Sequence, residues 1–283
     1  ISSSSASTGD NFGIYSVGAV NNTGNIDFSA GDGNVGIYVN GASGYAKNSG
    51  IINTGKSNTA AQKYAIGMAA KDGATIENIS GGVINVNDTN GIGMYAKGAG
   101  SKAINRGDIN LSGQNAIGMY LDDYAVGENY GNITTTPTSA ADGIIGVYTV
   151  NNSVIKNYGN ISINAADGIG IYVSENSSVS PEGNVATSGT DSTPVYRASA
   201  SDTSKGVKGV SINLPYAGAT TATVNRLGTT VTPVTVDTNV PSHAPSYVNA
   251  GSTKIDLSTF DPVYTVNNGG GQSGIGMYVD TSG

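Results

Sequence analysis

The sequence predicts an all-β chain, a right-handed parallel β-helix built from coils of about 25 residues, and three observations predict it. The first is a short motif, a small or apolar residue followed by Gly, Ile/Met/Val and Tyr. Its glycines are Gly13, Gly36, Gly67, Gly93, Gly118, Gly146, Gly170 and Gly276, spaced by 23, 31, 26, 25, 28 and 24 residues and then by 106. The second is an Asn-x-Gly-x-Ile/Val motif that trails the first by nine to twelve residues, headed by Asn22, Asn48, Asn105, Asn129 and Asn157, with a one-residue-longer version at Asn78. The third is composition: 42 Gly and 16 Tyr, no Trp and no Cys, in a chain of which only 12% is charged. Such a chain lacks the broad amphipathic stripes that helical repeats bury, so its core must come from many short strands.

Each motif becomes one element of a coil. Alternation inside Ile117-Gly118-Met119-Tyr120 puts Ile and Met on one face and Gly and Tyr on the other, which predicts an inward set of Ile92, Met94, Ile109, Leu111, Ile117, Met119, Ile133, Val147, Ile161, Ile163, Ile169 and Ile171. Coils stacked about 4.8 Å apart bring like residues to one height. An external tyrosine ladder follows, broken at Ala69, the one copy of eight without Tyr. The asparagines should form an amide ladder at a corner, and Tyr130 should stack on Tyr158. All of these ladders are accounted for by coil packing.

Residues 186–270 depart from the pattern. They hold six of the eight prolines, the only His, and five basic against five acidic residues, so the repeats carry the whole net charge of −7. The expected organisation is β-helix coils over 1–188, an insertion or degenerate coils with long loops over 189–267, and a final coil over 268–283. Gly276 stands about four periods after Gly170, and Asn225-Arg226-Leu227-Gly228 echoes the Asn motif, so a subdomain and degenerate coils remain two readings of this stretch.

Gly91-Ile92-Gly93-Met94-Tyr95 followed by Asn105-x-Gly107-x-Ile109 resembles the passenger repeats of the large fusobacterial type V autotransporter adhesins, over residues 9–185 and 272–283. The resemblance implies a long rod on the bacterial cell surface, anchored through an outer-membrane β-barrel not in this chain. It also implies attachment to other bacteria or to a host cell-surface glycoprotein or receptor, including galactose-type glycans. It transfers no functional residue, because the matched motifs are scaffold.

The chemistry-bearing residues point away from catalysis. His243 lies between Pro241 and Pro245, and no Gly-x-Ser-x-Gly elbow occurs. Asp122-Asp123 is the most conspicuous carboxylate pair, but neighbours on a strand point oppositely, and a strand-to-turn junction is its expected place. Asp88-Thr89-Asn90-Gly91 only imitates a calcium loop, and Gly269-Gly270-Gly271 lacks the helix and Lys of a phosphate cradle. No catalytic residue, cofactor or metal is expected. A pI near 4.5 argues against nucleic acid, and no apolar run is long enough to insert in a membrane as a helix. Binding is expected on loops of the off-pattern segment, at Tyr196, Arg197, Tyr216, Arg226, His243, Tyr247 and Tyr264, because exposed Tyr and Arg are enriched at contacts. The competing functions are an adhesin segment, a structural stalk and, more distantly, a glycan-degrading β-helix enzyme.

Overall fold

The computed structural model describes residues 1–3, 11–136, 141–174, 176–197, 210–214, 221–226, 229–235 and 267–268. Its first unit, residues 1–195, is a parallel β-solenoid of about seven turns with coils of about 26 residues. Each coil contributes one strand to each of three parallel sheets. In the fourth coil these are Ile92–Lys97, Lys102–Asn105 and Asp108–Leu111; in the fifth, Ile117–Asp122, Val126–Asn129 and Asn132–Thr135. The seventh coil holds Ile169–Val173, Ser178–Pro181 and Asn184–Thr187. The tyrosine motif thus forms the first sheet, and the Asn motif forms the corner between the second and third.

Strand register runs motif on motif: Met94 pairs with Met119, Tyr95 with Tyr120 and Asn105 with Asn129. The core is a stack of aliphatic layers. Met68, Met94, Met119, Val147 and Ile171 fill one column, and Ile52, Ile84, Ile109, Ile133 and Ile161 face them, all fully buried. Each such side chain contributes roughly 1.5–3 kcal/mol by leaving water.

One orientation differs from the alternation rule. Gly118 and Met119 are both buried, and Ile117 and Ile169, expected inside, are only half-buried. The break follows from the motif glycine, which faces inward. A Cβ on Gly93 would lie 2.6 Å from the Gly118 carbonyl oxygen and 2.9 Å from Cγ2 of Ile109. Only hydrogen fits between a core isoleucine and the peptide of the next coil, so Gly turns in and the residue before it is moved aside, to half-buried at Ile117 and Ile169 but still buried at Ile92. Alternation resumes at Met119, which is why Tyr120 still lies outside.

The unit made of residues 196–283 contains a four-stranded sheet in the order Thr229–Thr235, Thr221–Arg226, Val210–Leu214, Asn267–Asn268. Its first three strands pair antiparallel, unlike any strand pair of the coils. The copy of the tyrosine motif at Gly276 lies outside the described residues.

Candidate functional site

The asparagine corner is the most regular polar structure of the rod. Asn22, Asn48, Asn78, Asn105 and Asn129 each donate from Nδ2 to Oδ1 of the next asparagine, at 2.8, 2.9, 3.0, 2.8 and 2.7 Å, ending on Asn157. From Asn48 onward these amides are fully buried. Their second hydrogen often reaches a backbone carbonyl of the same turn, as Asn48 does to Gly50 at 3.1 Å. With both faces of each amide used inside the protein, the ladder has no capacity left for a ligand.

The tyrosine ladder runs along the outer face of the first sheet. Tyr15 stacks on Tyr38 at 5.5 Å, and beyond the gap at Ala69 the rings of Tyr95, Tyr120, Tyr148 and Tyr172 follow at 5.3, 5.1 and 4.4 Å. Ala69 is only 1% exposed, so the flanking side chains close the gap. At the end of these strands Lys97 donates to Asp122 at 2.9 Å, and Asn151 donates to its other oxygen at 2.7 Å. Burial raises the Asp122 pKa, but the hydrogen bonds from Asn151 and Lys97 outweigh it and hold the carboxyl below its ordinary value. Burial, reinforced by the charge of Asp122, pushes the Tyr95 hydroxyl up. Asp122 is therefore an ionised partner of Lys97, and Asp123 sits at φ 55° in the turn that follows. The two do not form an acid/base pair.

A second surface column was only half visible in the sequence. Tyr130 and Tyr158 stack at 4.8 Å as the motif spacing predicts, and the Arg106 guanidinium lies 4.2 Å from the Tyr130 ring centre. Arg106 also donates to Glu77 at 2.8 Å, and Tyr45 donates its hydroxyl to the same carboxylate at 2.5 Å. Burial raises Glu77, but these two donors bring it below the usual carboxylate range; burial and Glu77 together push Tyr45 up to about 12. The signal available in sequence was the middle residue of the Asn-x-Gly turn, which in successive coils is Arg106, Tyr130, Tyr158 and Glu182. Glu77 and Tyr45 occupy no motif position.

Of the expected binding residues, Tyr196 and Arg197 end the strand Thr193–Arg197, the eighth of the first sheet, and Tyr196 is buried. Pro194 stands there in the glycine position, its carbonyl oxygen in the path of a Cβ on Gly170. Arg226 closes the strand Thr221–Arg226, its backbone paired with Val210 on one side and Thr229 on the other. Tyr216, His243, Tyr247 and Tyr264 lie outside the described residues. Among the described residues no three His, Cys, Asp or Glu side chains gather in a way that could hold a metal ion, and no helix is long and apolar enough to cross a membrane.

The architecture is a parallel β-solenoid whose polar ladders are spent on packing. Residues 3–117, through the first four coils, match the family model described as the BigA third pectate lyase-like domain. This match agrees with a bacterial autotransporter-like passenger and does not extend to the fusobacterial adhesins in particular. No curated protein and no solved structure matches the chain.

Proposed function

We propose that this chain is a segment of a surface-displayed autotransporter adhesin passenger, acting by binding and not by catalysis, which attaches the cell to host receptors or to other bacteria. One observation carries the reading: every repeated polar or aromatic ladder is consumed by contacts between coils, while chain length varies almost entirely at the corner leading into the tyrosine strand. A rod that spends its regular face on stiffness presents what it binds with on its excursions. The pectate lyase-like description of the matched family concerns a fold that hosts many functions, and Asp122, the most conspicuous carboxylate, is occupied by Lys97 and Asn151. A stalk that only presents a binding tip elsewhere is favoured by the regularity of coils four to six.

The test is cell binding by the 283-residue chain with and without competing galactose, repeated with residues 190–267 replaced by a short Gly-Ser linker. The adhesin reading expects saturable binding that the replacement abolishes while the coils keep their β-sheet circular dichroism. Absence of binding by the intact chain supports the stalk, and undiminished binding by a folded deletion moves the site to the rod face.

A further inference from the structure

The second and third strands of the seventh coil depart from those of the sixth at the positions that tie coils together. Register sets Asn157 against Pro181, Ile155 against Val179, Ile161 against Val185 and Ile163 against Thr187. Pro181 ends the amide ladder, because proline has neither an N–H for the sheet nor a side-chain amide to pass the chain of bonds on. Toward the next coil the Asn157 amide keeps only a backbone bond, to the Asn184 carbonyl oxygen at 3.4 Å, which Asn105 makes to Asn132 at 3.3 Å in addition to its amide rung. Outside, the ring stack ends as well, since Glu182 takes the place after Tyr158. Inside, two isoleucines give way to valines, and Thr187 is half-buried where Ile163 is fully buried. The first coil, which also lies at an end of the ladder, keeps its rung from Asn22 to Asn48 at 2.8 Å.

We infer that Ser178–Pro181 and Asn184–Thr187 form a joint, the place where the rod opens first while coils one to six stay closed. In a solenoid each coil is held by its own packing and by nearest-neighbour interfaces, so losing an amide rung, a ring stack and core volume at one interface lowers the opening free energy there. A joint at this point precedes, along the chain, the off-pattern segment to which the adhesin reading assigns contact. The joint itself does not depend on that reading.

Hydrogen exchange on the full chain tests it without any cell or receptor. Amides of residues 178–187 should exchange about tenfold faster than those of 154–163 and of the first coil. The double variant Pro181→Asn, Glu182→Tyr, which rebuilds the rung and the stack, should slow 178–187 by about tenfold and leave 154–163 unchanged. Thr187→Ile, which refills the core layer alone, should move exchange the same way by a smaller factor and serves if the double variant fails to fold. Equal exchange in the unmodified chain overturns the joint. Exchange that stays fast in a folded repaired variant overturns it too, since ordinary fraying at a ladder end would then account for the rate.

Discussion

At the asparagine corner two residues separate the flanking strands in six of the seven coils, as between Asn129 and Asn132, with four between Asn78 and Val83. At the corner leading into the tyrosine strand the separation runs from five residues, between Leu111 and Ile117, to eleven, between Thr54 and Ile66. Both corners are rich in Asn, Gly and Ser. They differ in where their polar groups go. The asparagine corner sends its amides inward, into a buried column in which each depends on the position of the next, and its glycines stack so closely that the Gly107 oxygen occupies the place of a Cβ on Gly131. The longer turn between Asn78 and Val83 is accommodated outside the column, with the Asn78 amide still bonded to Asn105 and to the Gly82 carbonyl. The other corner has no such column; it closes on its own backbone and bonds to the backbone of the next coil. Its eleven-residue excursion is held by Asn58, whose N–H donates to the Lys63 carbonyl at 2.8 Å while its side chain accepts from Ala61, and by Ser57, which donates to the Asn90 carbonyl at 2.6 Å. Length varies least where a buried amide column runs from coil to coil and most where none does.

Two substitutions and one deletion would break or sharpen that contrast. The largest effect is expected at the asparagine corner, where Asn105→Ala strands Oδ1 of Asn129, a buried acceptor, and opens a small cavity. Thermal unfolding should show a loss of about 2–3 kcal/mol; a loss below half a kcal/mol would mean the ladder is ornamental. An intermediate effect is expected at Asp122. Its folded-state pKa lies below the ordinary carboxylate value, so its stabilisation is present above about pH 4 and is lost as pH falls through the lowered folded value. Asp122→Asn should therefore cost about 1 kcal/mol at pH 7 and progressively less as pH falls below about 4, discounted because the Lys97 side chain is 41% exposed. A pH-independent difference in melting would remove the ion pair from the account. The smallest effect belongs to the excursion: shortening residues 55–65 to a five-residue corner like that between Leu111 and Ile117 should change stability by no more than about 1 kcal/mol. Collapse of the fold on that deletion would show that the excursion holds coils together.

The ladders were legible in the sequence because a solenoid superimposes residues one period apart. Tyr130 and Tyr158, 28 residues apart, could be placed ring on ring before any coordinates, and so could every asparagine of the corner. Ile117 and Ile169 were misplaced because period-2 alternation assumes an unbroken pleat, and the inward turn of Gly118 interrupts it. The bond from Arg106 to Glu77 spans 29 residues between a motif and a non-motif position, so no periodicity points to it. Tyr196 looked like an exposed aromatic of an off-pattern loop because Pro194 had erased the glycine by which the motif is found. Whether the strand Thr193–Arg197 continues the first sheet depends on hydrogen bonds such as that from the Thr193 N–H to the Gly168 carbonyl at 2.7 Å, and residue identity does not reveal them.

By itself the sequence determined the fold class, the coil period, the two ladders and the corner that admits extra length, because all four follow from which residues recur and how far apart. Only the tertiary structure decided which face each glycine takes, which charges pair across coils, and where the ladders stop. Those outcomes depend on the distance between a side chain and the backbone of the next coil. Here a Cβ on a motif glycine would lie 2.4–2.6 Å from a carbonyl oxygen of the next coil, where ordinary contact begins at 3.4 Å, and that distance reserves the position for glycine.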